Sequence, residues 1–104
     1  MIVSDKNVSD ALAYLAIDPH PIALARKDLT DAENEKEKVW AEIYCSQNTG
    51  SIRDRESACE LDQRVINFRR DVAQHSFEIE RHKARIRAAE MLIECWRSEN
   101  ASRL

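Results

Sequence analysis

Apolar residues recur along the second half of this chain with the alternating three- and four-residue spacing of a heptad repeat. The spacing is unbroken, and ten of its twelve positions are apolar. Such a repeat between charged flanks is typical of a long helix whose narrow apolar face packs against other helices. We therefore predict one uninterrupted helix over residues 52–98. Its heptad stripe consists of Ala58, Leu61, Val65, Phe68, Val72, His75, Ile79, His82, Ile86, Ala89, Ile93 and Trp96.

Two shorter helices are predicted before the long one. Helix one covers about residues 10–17, with Ser9 as its cap and Leu12 and Leu15 on its apolar side. The prolines at 19 and 21 end it, because proline lacks the backbone donor that an interior turn needs. Helix two covers about residues 19–48 and carries its own heptad positions, which are Ile22, Ala25, Leu29, Ala32, Lys36, Val39 and Ile43.

A tight turn is predicted between helices two and three. Gly50 accepts the left-handed backbone that commonly closes a helix, and Ser51 with Asp54 resembles a capping box. The predicted fold is all-α. It is an antiparallel, coiled-coil-like helical hairpin with the short first helix packed on the long C-terminal helix. We expect a single domain over residues 1–104.

Helix two is too short to cover helix three, at about 45 Å against about 70 Å. The uncovered part also bears a second stripe, formed by Ala84, Ala88, Met91, Leu92 and Cys95. This excess of apolar surface predicts a homo-oligomer, a dimer or larger. In a parallel pair the flanking charges would attract at Glu78 with Lys83 and at Arg85 with Glu90, but would repel at Arg64 with Arg69. The C-terminal half could therefore pair with itself in parallel. The candidate interface residues are Leu12, Leu15, Ala84, Ile86, Ala88, Met91, Leu92, Ile93, Cys95 and Trp96.

The composition supports long helices, since the chain has one glycine, two prolines and 34% charged residues. The net charge of −3 divides into −5 over residues 1–60 and +2 over residues 61–104. The candidate nucleic-acid contacts are Arg81, Lys83, Arg85 and Arg87, but glutamates interleave with them, which favours a solvated helix flank. Trp40 and Trp96 lie in or beside apolar stripes and are interpreted as packing anchors.

One set of side chains has the spacing of metal ligands. His75, Glu78 and His82 share a helical face, but both histidines are also heptad positions within reach of an acid four residues earlier. We favour this second interpretation and predict no metal and no cofactor. Because no nucleophile, base and acid can be assembled, and the only glycine lies in a turn, we expect no enzymatic activity.

The cysteines and the apolar runs indicate a cytoplasmic protein. Cys45, Cys59 and Cys95 form no CxxC pair, so we expect reduced thiols buried on helices. No apolar run approaches the roughly 20 residues that span a membrane, and the first residues lack a basic segment followed by an apolar core. We expect a soluble protein that is not exported and does not contact a membrane.

Three stretches carry a resemblance to a known family. They are residues 12–33, 50–56 and 96–101, which include Leu12-Ala13-Tyr14-Leu15-Ala16, Gly50-Ser51-Ile52-Arg53-Asp54-Arg55-Glu56 and Trp96-Arg97-Ser98-Glu99-Asn100-Ala101. In these stretches the chain resembles a family of small temperate-phage and prophage proteins encoded near recombination and replication genes. The resemblance implies an accessory role there and supplies no catalytic residues.

We therefore expect a non-enzymatic helical interaction and oligomerisation module that acts through protein-protein contacts. Its protein partner is not identified by the sequence. The alternative is an accessory protein that binds single-stranded DNA in phage recombination or replication.

Overall fold

A computed structural model describes residues 2–102 and shows four helices over that range, with no strand. The helices are α1 (Asp5–Leu15), α2 (Pro21–Ser46), α3 (Ile52–Leu61) and α4 (Gln63–Ser102). The predicted all-α class is confirmed, and the long C-terminal helix packs against α1 and α2.

Helix α1 begins five residues before the predicted start. Its cap is Ser4 and not Ser9, because the Ser4 Oγ accepts a hydrogen bond of 3.1 Å from the backbone N–H of Asn7. Its buried residues are Val8, Ala11 and Tyr14. Leu12 was expected on the apolar side but is 50% exposed. The buried face of the helix is centred on Ala11, and Leu12 lies about 100° around the helix from Ala11.

Helix α2 follows the predicted heptad closely. Ile22, Ala25, Ala32, Val39 and Ile43 are buried, and the intervening Leu29 and Lys36 are half-buried. The helix spans Pro21–Ser46, two residues shorter at each end than predicted. His20 precedes it and supports its start, since the His20 carbonyl accepts from Ala23 and the ring Nδ1 accepts from the backbone N–H of Ile22.

The predicted uninterrupted third helix is wrong, because the chain breaks at Asp62. Asp62 has an extended backbone, with φ −68° and ψ 131°, and it separates α3 from α4. Its carboxylate accepts from the backbone N–H of Arg64 at 2.9 Å, so Asp62 caps the start of α4. At the end of α3, just before the break, Leu61 is 79% exposed, whereas Cys59 two residues earlier is fully buried.

The turn before α3 contains the predicted capping box. The Ser51 hydroxyl accepts from the backbone of Asp54, and the Asp54 carboxylate accepts from the backbone of Ser51. Gly50 has a positive φ of 105°, as its role in a turn predicts. It lies four residues beyond the last residue of α2, so it shapes the turn and does not close that helix.

The fold comprises two compact units. One combines the chain up to Leu24 with the part of α4 from Glu78 onward, and the other is Ala25–Phe77. The core of the second unit is formed by Val39, Ile43, Cys59 and Val65, with Trp40, Tyr44 and Phe68 packed against it. Trp40 is thus the packing anchor that the sequence predicts. The expectation of one domain stays a prediction.

Candidate interaction surface

Helix α1 covers one side of the C-terminal part of α4. Val8, Ala11 and Tyr14 form a buried cluster with Ala89 and Ile93. Two polar links reinforce the contact at the far end of α4. The backbone N–H of Val3 donates to the Glu99 carboxylate at 3.0 Å, and the indole N–H of Trp96 donates to Asp5 at 3.2 Å. Apolar burial and these two links together fix α1 on α4.

This packing divides the candidate interface residues into two groups. Ile93 is buried, with only 8% of its surface exposed. Leu15, Ile86, Leu92 and Trp96 are half-buried and pack against the same cluster. The residues that stay exposed are Leu12, Ala84, Ala88, Met91 and Cys95. Four of these five belong to the second stripe, so α1 leaves most of that stripe open.

Two grooves lie along the second stripe, and both are lined by Met91 and Cys95. The first encloses about 260 Å³, and the second about 360 Å³. Met91 is 58% exposed, and Ile2, which lines the first groove, is 77% exposed. The remaining lining residues are Val3, Asn7 and Leu92 in the first groove and Glu94, Ser98 and Glu99 in the second. The result is an exposed apolar surface with an acidic edge.

The most buried polar contact in this unit joins Tyr14 of α1 to His82 of α4. The Tyr14 hydroxyl lies 2.8 Å from the His82 Nδ1, and the two side chains are almost fully buried. The Arg85 guanidinium lies over the Tyr14 ring, 3.9 Å from its centroid. The ring of His20 meets the Tyr14 ring edge-on at 4.8 Å. The heptad pattern does not identify this cluster, although a histidine at a heptad position implies a buried polar partner.

The geometry of this cluster indicates a packing role. When the Tyr14 hydroxyl donates to Nδ1, the neutral imidazole carries its proton on Nε2, toward Glu78. That nitrogen is 4.0 Å from the nearest Glu78 oxygen, which is too long for a hydrogen bond, and the same oxygen accepts from Arg81 at 2.7 Å. The Tyr14 hydroxyl and the His82 Nδ1 satisfy each other, so this hydrogen bond specifies how α1 sits on α4.

Within residues 2–102, the candidate metal ligands do not form a metal site. His82 is hydrogen-bonded to Tyr14, and His75 is half-buried two turns earlier on the same helix. Over residues 2–102, no group of three or more histidine, cysteine, aspartate or glutamate side chains is arranged to hold a metal ion.

The four basic candidates for nucleic-acid contact are all exposed, and three of them have partners within the chain. Arg81 pairs with Glu78, and Lys83 pairs with Glu80 at 3.2 Å. The Arg85 guanidinium stacks on the Tyr14 ring. Because neighbouring carboxylates offset part of the positive charge, binding to single-stranded DNA stays the alternative hypothesis.

The burial predicted for the cysteines is correct for one of three. Cys59 is fully buried and its thiol contacts the Trp40 carbonyl, whereas Cys45 and Cys95 are exposed. Burial raises the pKa of the Cys59 thiol, and the carboxylates of Asp62 and Glu56 raise it further. Cys45 lies on an exposed part of α2, and Cys95 lies in the second stripe, which helix two is too short to cover.

No protein-family model, curated protein or solved structure matches this chain. In the part of the chain that the structure describes, none of the helices combines the length and apolar character needed to cross a membrane.

Proposed function

We propose that this chain is a non-enzymatic interaction module that associates with copies of itself through the second stripe. The observation that carries the proposal is Met91, which is 58% exposed between two grooves although the heptad stripe beside it packs under α1. Contiguous exposed apolar surface with polar edges is typical of protein-protein contact sites.

Burial of the exposed apolar side chains of the second stripe would contribute substantially to the free energy of association of a small domain. Full burial of a methionine side chain is worth on the order of 2 kcal/mol, and a two-fold interface contains each residue twice. Ile2 would add to this burial, since it lines the groove that Met91 also lines. We further propose an accessory role near recombination or replication, which rests on the resemblance of three stretches of the sequence to temperate-phage and prophage proteins.

Sedimentation velocity over the micromolar concentration range tests the proposal. We expect the wild-type chain to be a dimer or larger. The variant Met91→Lys should sediment as a monomer with unchanged helical content, because Met91 is outside the buried cluster of α1 and α4.

Leu61→Lys is the matched control, since Leu61 is also a large exposed apolar residue but belongs to the other compact unit. It should leave the association unchanged. A wild-type chain that remains monomeric over the whole concentration range would contradict the proposed function.

A further inference from the structure

The charges on the C-terminal part of α4 are segregated along its axis. Residues 78–87 contain four basic and two acidic side chains, so their net charge is +2. Residues 88–99 contain one basic and three acidic side chains, so their net charge is −2. The change of sign falls between Arg87 and Glu90, beside Met91. The second stripe therefore runs from a basic half to an acidic half.

This segregation distinguishes the two ways in which a second copy can lie along the stripe. In a parallel pair each half faces its own equivalent, and like charges repel. In an antiparallel pair the basic half of each copy faces the acidic half of the other. The attraction then occurs twice, because a two-fold axis repeats every contact.

The heptad stripe itself is not available for a pair. Ile79, His82, Ala89 and Ile93 are buried within the chain, and Ile86 is half-buried against α1. A parallel pair built on that stripe, with Glu78 beside Lys83, would have to displace α1. Apart from the half-buried Leu92, the second stripe is exposed without any such rearrangement.

Building on the proposed function, we propose that two copies pair antiparallel along the second stripe and cross near Met91. Arg85 and Arg87 of one copy then lie beside Glu94 and Glu99 of the other. The short side chains of Ala84, Ala88 and Ser98 let the helices approach, and Met91 meets its own equivalent at the crossing point. The acidic edge of the 360 Å³ groove, formed by Glu94 and Glu99, receives the basic half.

A charge-exchange cycle tests the orientation, with the dimer dissociation constant measured by sedimentation equilibrium. Arg87→Glu and Glu94→Arg should each weaken the dimer about five- to tenfold, and the double variant should recover most of the wild-type affinity. In a parallel pair Glu94 would face Glu99, so Glu94→Arg would strengthen the dimer. Lys38→Glu and Glu35→Lys are matched controls on the exposed surface of α2 and should leave the constant unchanged.

Cys95 provides a second readout in a Cys45→Ser background. In an antiparallel pair that crosses at Met91, the two Cys95 residues are separated along the axis by about 12 Å, because each residue rises about 1.5 Å. A disulfide needs Cα atoms within about 7 Å, so mild oxidation should give no covalent dimer.

The outcomes separate this inference from the proposed function. A dimer that is strengthened by Glu94→Arg, or is not restored by the double variant, would overturn the antiparallel orientation while self-association stands. Efficient Cys95 cross-linking in a dimer would do the same. A wild-type monomer would instead overturn the proposed function and this inference with it.

Discussion

At the scale of single residues, the heptad pattern identifies inward-facing positions but not the residues that they contact. His82 is a heptad position in the sequence, and in the structure its ring nitrogen lies 2.8 Å from the Tyr14 hydroxyl. If the buried imidazole had no such partner, its desolvation would not be offset. The resulting loss of stability would exceed the net contribution of one hydrogen bond. The contact therefore restricts α1 to one arrangement on α4.

Val65 and Leu61 occupy successive heptad positions but differ in their burial. Val65 is fully buried, and Leu61 is 79% exposed. We predict that Val65→Ala lowers the free energy of unfolding by about 2 kcal/mol, because it removes buried methyl groups and leaves a cavity. Leu61→Ala should change it by less than about 0.5 kcal/mol. Urea unfolding followed by circular dichroism measures both.

Equal losses for the two variants would indicate that Leu61 is also packed, as one uninterrupted helix requires. The pair is its own control, since both substitutions introduce alanine and differ chiefly in the burial of the side chain that is removed.

At the scale of helices, the main departure from the sequence prediction is the break at Asp62. The Asp62 carboxylate accepts from the backbone N–H of Arg64 and from its guanidinium at 3.1 Å. These hydrogen bonds hold the pKa of Asp62 below its ordinary value, the side-chain bond contributing most. The cap thereby satisfies a backbone donor that would otherwise lack a partner at the start of α4.

We predict that Asp62→Ala lowers the urea midpoint of unfolding, because alanine cannot cap a helix, and that Asp62→Asn retains most of the stability. The lowered pKa of Asp62 means that its ionised form stabilises the fold above the ordinary aspartate pKa of about 3.9. That stabilisation is lost as the pH falls through the lower pKa of the folded state. Urea midpoints at about pH 5 and about pH 2 measure the effect.

The wild-type advantage over Asp62→Asn should therefore shrink between these two pH values. An advantage that stays constant would show that the charge of Asp62 contributes nothing and that its capping hydrogen bond alone acts. Lys27 and Asp31 form an exposed ion pair within α2, and Asp31→Asn is a control that leaves the helix break unchanged.

At the scale of the whole molecule, the distribution of charge favours a protein partner over single-stranded DNA. The net charge is −3, and Glu78 and Glu80 pair with Arg81 and Lys83. We predict weak binding of single-stranded DNA that falls steeply with salt. Neutralising Arg85 and Arg87 should reduce the salt slope by about 1.4, at about 0.7 for each phosphate contact. Fluorescence anisotropy at several salt concentrations measures it.

Submicromolar affinity at physiological salt, abolished by these substitutions, would reverse the order of the two hypotheses. Neutralising Lys38 and Lys27 on α2 provides a control with the same change of net charge. This control should leave the salt slope unchanged where the phosphate contacts are made by the basic half of α4.

The sequence by itself determined the all-α class, the position of α2 to within two residues at each end, and much of what faces inward. The heptad positions of α2 are buried or half-buried as predicted, and the Ser51–Asp54 capping box forms as predicted. Both follow from local rules, since side-chain periodicity and capping depend on residues within a few positions of each other.

Only the tertiary structure decided where α1 begins, where the long helix breaks and which candidate residues stay exposed. At Asp62, a continuous helix competes with a capped break that buries Cys59 beside Val39 and Ile43, and those contacts are distant in sequence. Likewise Ile93 is buried and Met91 exposed because α1 packs through Val8, Ala11 and Tyr14. The apolar periodicity allows each alternative, and packing between distant segments selects one of them.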